Sequence, residues 1–404
     1  MGIERIETLL LVAAIVAMLA RRFRLPYTVG LVVAGAVLAF SRIGTGVELT
    51  RDLVFISFLP PLIFEAALYI SWRELRKDLA VIGTLATLGV LLSAAVTAAG
   101  MHFMVGWQWQ SAVLLGTLIA ATDPVSVIAL FRELNVRGRI RLLVEAESLF
   151  NDGTAAVLFG IALTFSGGGQ VGAPSVATAF VVTAVGGIAC GALVAAGVLL
   201  LAGRTNDHLV EITFTTVAAY GSFLVAEHFG LSGVLATLTA GIITGSVGSL
   251  GSISERGRVA LESFWEYVAF AVNSLIFLLI GMREATLSFT SALVPALVGI
   301  VLVMGGRALA VYSCCAVFHR SGRAVPMRDQ HVLFWGGLRG ALALALVLGL
   351  PRGVPQREAI VPVAFAVVAF SVVVQGLTIG PLMRRLGIIR SRQSGDRQER
   401  GPAS

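Results

Sequence analysis

Ala121-Thr122-Asp123-Pro124 and, a little farther on, Glu147-Ser148-Leu149-Phe150-Asn151-Asp152 place carboxylates inside runs otherwise apolar enough to sit in lipid. A charged side chain at the centre of a bilayer costs roughly 2.5–3.5 kcal/mol, so acids at such positions point to function. Asp123 precedes a proline, which removes a backbone N–H and disfavours a continuous helix. The carbonyls freed there need another partner, and in lipid only protein, trapped water or a cation supplies one. A broken helix beside a buried acid reads as an ion site.

The rest of the chain fits that setting. Of 404 residues 57% are hydrophobic and 13% charged, with a mean hydropathy of +0.89. A soluble domain carries about 25% charge, so the composition excludes one. Apolar runs of span length recur from end to end, which implies an all-α polytopic membrane protein. Cys190, Cys314 and Cys315 all lie in apolar runs, with neither disulfide nor metal-ligand spacing. Met1 to Glu7 carries two acids against one arginine, unlike the basic start of a cleavable signal.

Charged, Gly- and Pro-rich breaks divide the chain into thirteen candidate helices, near 8–20, 26–41, 51–72, 78–104, 111–131, 141–166, 174–202, 208–229, 231–248, 258–281, 288–318, 329–350 and 357–386. With the N-terminus outside, the inner segments and tail hold 22 Lys and Arg and the outer segments six. That asymmetry predicts an external N-terminus and a cytoplasmic C-terminus, and explains the net charge of +7 without nucleic acid. The polar tail, 389–404, lacks aromatics and reads as disordered. The fifth candidate helix is interrupted at Thr122-Asp123-Pro124 and the twelfth at Gly336-Gly337-Leu338-Arg339-Gly340. Their offset of seven is odd, so the two halves run in opposite senses. Paired interruptions in inverted repeats are the sequence pointer to a secondary transporter's site.

At 1.5 Å per residue, Asp152 lies roughly 16 Å from Arg141, Asp123 roughly 14 Å from Arg132, and Glu65 roughly 12 Å from Arg73. All three therefore belong near mid-membrane. Ser148 and Asp152 share one helix face, as do Glu147 and Asn151. Hard monovalent cations take oxygen ligands, which Asp152, Asp123, Ser148, Thr122 and Glu65 supply. The competing reading pairs Asp152 or Asp123 with a buried arginine, Arg307 or Arg339. Unpaired buried charge is strongly destabilising, so both arginines need partners. Glu147 with Arg307 is the first pairing, although straight helices place Arg307 several ångströms farther from the cytoplasm. Arg339 offsets the partial charges of the broken helix ends and repels a second cation, or simply bonds to carbonyls.

Gly230-Leu231-Ser232-Gly233 has the form of an intramembrane serine protease motif. That chemistry needs a histidine base in the membrane, and the five histidines all fall at or near helix ends. The second aspartate likewise lacks the Gly-x-Gly-Asp setting of a two-aspartate protease. An enzyme is not expected.

Ala121-Thr122-Asp123-Pro124-Val125-Ser126-Val127 and Glu147 to Ala155 resemble the signature helices of the sodium/proton exchangers, in the first family of monovalent cation:proton antiporters. Phe58-Leu59-Pro60-Pro61-Leu62-Ile63-Phe64-Glu65, Asn273-Ser274-Leu275-Ile276-Phe277 and Gly336 to Ala341 resemble further segments of that family, in order. The resemblance implies thirteen helices, inverted repeats, a homodimer and a core moving past a fixed scaffold. By position, 1–77 and 167–285 form the dimerisation scaffold and 78–166 and 286–388 the transport core. It implies electroneutral exchange of Na⁺ or Li⁺ for H⁺, without a cofactor. Asn151 stands where electrogenic relatives carry a second aspartate. A K⁺-preferring exchanger and a cation channel are the alternatives.

Overall fold

In lipid a backbone N–H or C=O has no water to bond, so a spanning segment folds as a helix. The computed structural model describes residues 3–23, 26–41, 50–123, 127, 128, 131, 136, 138–166, 172–247, 253–285 and 292–389. Its helices are α1 (Ile3–Phe23), α2 (Tyr27–Ser41), α3 (Leu53–Leu68), α4 (Trp72–Val105), α5 (Trp109–Ala120), α6 (Arg139–Ser166) and α7 (Ala173–Ala202). There follow α8 (His208–His228), α9 (Gly233–Val247), α10 (Glu255–Glu284), α11 (Leu293–Val317), α12 (Met327–Trp335), α13 (Ala341–Leu348) and α14 (Arg357–Arg385). No strand occurs among the described residues. Seven of these helices (α4, α6, α7, α8, α10, α11 and α14) are long and apolar enough to cross a membrane, and shorter apolar helices accompany them. Pro124, Val125 and Ser126 lie outside the described residues, as does the tail from 390 onward.

Several boundaries differ from the sequence reading, each for a local reason. The stretch 71–78 reads as a loop, yet α4 begins at Trp72. Arg73, Glu74, Arg76 and Lys77 are good helix formers that stay exposed, while Leu75 and Asp78 turn inward. The start of α10 moves from 258 to Glu255 because Ser254 caps it, Oγ accepting from Gly257 N–H at 3.0 Å. Glu211 of α8 accepts in turn from the N–H and hydroxyl of Ser254, both at 3.0 Å. Ser232, the serine of the protease-like motif, accepts from Leu235 N–H at 3.3 Å and caps α9.

Packing separates two sets of helices. In one, α4 lies between α5 and α11, α5 packs on α6, and α11 packs on α14. In the other, α10 runs along α2, and α9 packs on α3, α7 and α8. The second set has its own small core, in which Phe64 meets Trp265 at a centroid distance of 4.8 Å. Trp265 is fully buried, and its Nε1–H donates to Thr215 Oγ1 at 3.0 Å. Only 28% of the most apolar stretch of α7 is buried, against 67% for α14. Thus α7 is peripheral, with Val181, Val182, Val185 and Leu193 facing outward, and α14 is central.

At the basic ends of the first set, Arg139 clamps Asp78, with Nη2 2.7 Å from Oδ1 and Nε 3.1 Å from both carboxylate oxygens. The same guanidinium donates to the carbonyls of Ala324 and Arg323 at 2.6 and 2.7 Å. Arg323 Nε–H reaches Lys77 O at 3.1 Å. One arginine therefore ties α4, the start of α6 and the turn before α12. We expect Asp78→Ala to lower stability by about 1.5–3 kcal/mol, the range for hydrogen bonds to charged groups. An unchanged melting temperature in detergent would mean that the carbonyl contacts suffice.

Candidate functional site

The break in the twelfth sequence segment lies where two glycines and a third flank Leu338 and Arg339, between α12 and α13. Helix ends leave carbonyls and amides unpaired, and here most find named partners. Gly336 N–H donates to Val332 O at 2.7 Å and Leu338 N–H to Gly336 O at 2.8 Å. The Gly337 carbonyl accepts from Arg339 Nη1. The Leu338 carbonyl accepts from the N–H of Asp123 at 2.7 Å. That last bond joins the break after α5 to the break before α13, so the interruptions cross in contact.

Asp123 approaches closely because Gly340 has no side chain. A Cβ at Gly340 would fall within the Asp123 carboxylate. Asp123 thereby lies at the amino end of α13, where the partial positive charge of the helix favours an anion. A Cβ at Gly337 would in the same way stand 2.6 Å from Arg307 Nε.

Asp152 comes from α6. With Asp123, Thr122 and Ala121 it lines a cavity of about 40 Å³, closed by Leu59, Leu62, Ile63 and Ala66 of α3 and by 340–343. A cavity needs only about 10–15 Å³ to hold one water, so this one has room for a water-sized ligand. Asp152 is 8% exposed, and its Oδ1 has no hydrogen-bond partner. The Thr122 backbone amide points to its carboxylate, and Asp123, Glu147 and Arg339 are close enough to act on it electrostatically. Thr122 Oγ1 donates to Ser148 Oγ at 3.1 Å. Of the candidate ligands, Asp152, Asp123 and Thr122 line the cavity, and Ser148 stands behind Thr122. Glu65 and Asn151 are buried but are not among the lining residues.

Asn151 faces the other way, its Nδ2 donating to Glu147 Oε1 at 3.2 Å. Glu147 and Arg307 meet in a two-fold contact, Nη1 to Oε1 at 2.7 Å and Nη2 to Oε2 at 2.8 Å. The pairing expected from the sequence is therefore formed. Nη2 also donates to Leu333 O of α12 at 3.0 Å, so α6, α11 and α12 share one buried charge pair.

Two further residues escaped the sequence reading. Ser371 Oγ accepts the Arg339 backbone N–H at 2.6 Å, and Gln375 Nε2 donates to Trp335 O at 3.0 Å. The available signal was two polar residues one turn apart inside the apolar run 357–386.

Removing either partner of a buried pair costs about 3–5 kcal/mol. Glu147→Ala and Arg307→Ala should each lose stability on that scale, and the double mutant much less than their sum. Melting temperatures of the three variants test this: strictly additive losses would mean the pair contributes no coupling.

Residues 9–385 match the family model described as sodium/hydrogen exchanger, transmembrane. The Na(+)/H(+) antiporter ApNhaP of Aphanothece halophytica is 39% identical over 379 residues, 93% of this chain and 72% of that protein. The Na(+)/H(+) antiporter NhaH of Halobacillus aidingensis is 33% identical over 95% of this chain and 98% of its own length. The solved structure of the sodium proton antiporter MjNhaP1 from Methanocaldococcus jannaschii superposes with a TM-score of 0.76, covering 95% of this chain and 98% of that one. At 18% identity this is a likeness of fold. The chain belongs to the sodium/hydrogen exchanger family of multi-pass membrane transporters.

Proposed function

We propose that this chain is a secondary active antiporter that exchanges Na⁺, or Li⁺, for H⁺ one for one. The observation that carries this is Asp152, whose carboxylate oxygen stands without a partner in a small cavity where two broken helices cross. A carboxylate there is neutralised either by a cation or by a proton, and that exclusion couples the two fluxes. Asp123 and the Thr122 oxygens complete the cation's ligands, with Ser148 behind them and Glu65 a further carboxylate nearby. The names of the relatives, Na(+)/H(+) antiporters, support the same substrates.

The rest of the reading follows the family pattern. Thirteen crossings are arranged as inverted repeats, with the N-terminus outside and the C-terminus in the cytoplasm. The core (78–166 and 286–388) moves against a scaffold (1–77 and 167–285) through which two copies pair. The separate packing of the two helix sets supports this division. Asn151 supports electroneutrality, because the position beside Asp152 carries an amide bonded to Glu147 rather than a further acid.

Asp152→Asn should fold and lose exchange altogether. Near-normal Na⁺-dependent proton flux in proteoliposomes of that variant would falsify the assignment. Replacing Na⁺ by K⁺ in the same assay separates the sodium reading from a potassium-preferring one.

Exchange driven by a Na⁺ gradient should create no membrane potential, and an imposed potential should not change its rate. A potential-sensitive dye, with and without valinomycin clamping, measures both. Charge movement would mean that a second carboxylate travels protonated, with Asp123 or Glu65 the leading candidate.

A further inference from the structure

Besides the Asp123 N–H, two side chains of α14 bond to the backbone of the break between α12 and α13. Midway along α14 the backbone widens into a π turn over Ser371–Gln375. Such single π turns inside α-helices occur often at functional sites. The residues at its two ends, Ser371 and Gln375, are 1% and 2% exposed. The side chain of each bonds to the backbone of the break. Ser371 Oγ accepts the backbone N–H of Arg339 at 2.6 Å. Gln375 Nε2 donates to the carbonyl of Trp335, the last residue of α12, at 3.0 Å. One helix thus completes an amide on the α13 side of the interruption and a carbonyl on the α12 side.

The remaining contacts of the break link it to the site. Leu338 O receives the Asp123 N–H, and Gly340 packs directly on the Asp123 carboxylate. Gly340 and residues 341–343 also line the cavity that holds Asp152. Arg339 lies between the Ser371 contact and Gly340, so a shift of its backbone is passed to the wall of the cavity within one residue. In a water-filled loop, solvent would replace a lost partner. Here the Arg339 amide is buried, so loss of its partner stays uncompensated, and the Trp335 carbonyl is half-buried.

We infer that Ser371 and Gln375 are positioning residues of the cation site: they set the separation of the two broken ends and, through Gly340, the placement of Asp123 against Asp152. They touch neither cation nor proton. The inference rests on the exchange reading above, and on no property of α14 beyond these two bonds.

The test uses full-length protein in proteoliposomes, with Na⁺ and Li⁺ as substrates, and the variants Ser371→Ala, Ser371→Thr, Gln375→Met and Gln375→Glu. Ser371→Ala and Gln375→Met remove one bond each at similar volume. Each should raise the apparent KM for Na⁺ roughly five- to thirty-fold, the ratio that one to two kcal/mol produces. The Na⁺-to-Li⁺ preference should shift as well, while kcat changes less. Ser371→Thr, which keeps the hydroxyl, should stay near wild type. Gln375→Glu, which sets a carboxylate against a carbonyl, should be worse than Gln375→Met. Lowered melting temperatures with unchanged KM and unchanged Na⁺-to-Li⁺ preference would mark both residues as merely structural and overturn the inference. So would wild-type kinetics in Ser371→Ala and Gln375→Met together. Absence of exchange by the wild-type protein would overturn both this inference and the exchange reading, whereas active wild type with kinetically silent variants overturns this one alone.

Discussion

Two interrupted helices can cross within a bilayer only if their free backbone groups bond to protein, because lipid offers no alternative. Here the bond from Asp123 N–H to Leu338 O makes each interruption the other's partner. Everything near the site depends on that contact. It brings Asp123 to the amino end of α13, sets Gly340 against its carboxylate, and closes one wall of the cavity containing Asp152. Three further backbone groups of the break bond to Arg339 Nη1, Ser371 and Gln375. Asp152 Oδ1, which has no hydrogen-bond partner, belongs to a residue that lines the cavity.

The buried charges divide into two groups with different tasks. Glu147 and Arg307 pair through both carboxylate oxygens and both terminal nitrogens, with Asn151 and the Leu333 carbonyl as further partners, while Arg307 Nε has none. Such a pair is a poor source of net stability, since desolvation offsets its attraction, but breaking it is costly. It therefore keeps α6, α11 and α12 in one arrangement while the ligand changes beside them. Asp152 and Asp123 differ in sharing a space with room for an ion. Asn151 and Asp152 are adjacent along α6, and the helical step turns the first to the ion pair and the second to the cavity.

Much of this was legible in the sequence because lipid makes polar residues conspicuous. The acids at Asp123, Glu147 and Asp152 and the arginines at Arg307 and Arg339 each demand a reason for being in an apolar run. The glycine-rich break at 336–340 stands out in the same way. What periodicity cannot show is which broken end meets which, so the bond to Leu338 and the roles of Ser371 and Gln375 emerge only in three dimensions. Glu65 illustrates the opposite limit: its depth suits a ligand, yet Leu59, Leu62, Ile63 and Ala66 are the residues of α3 that line the cavity. The early start of α4 was hidden because Arg73 to Asp78 is polar enough to read as a loop, although its inward positions, Leu75 and Asp78, follow a helical stripe.

A single carboxylate that holds either a cation or a proton explains exchange without any further moving charge. Its most direct consequence is chemical and does not require transport at all. Purified protein in weakly buffered detergent solution, at a pH where the Na⁺-free site is protonated, should release about one proton for each Na⁺ bound when NaCl is added, since bound cation and bound proton exclude each other. The release should saturate with Na⁺ and vanish in Asp152→Asn. Na⁺ binding without proton release would contradict the shared-site mechanism.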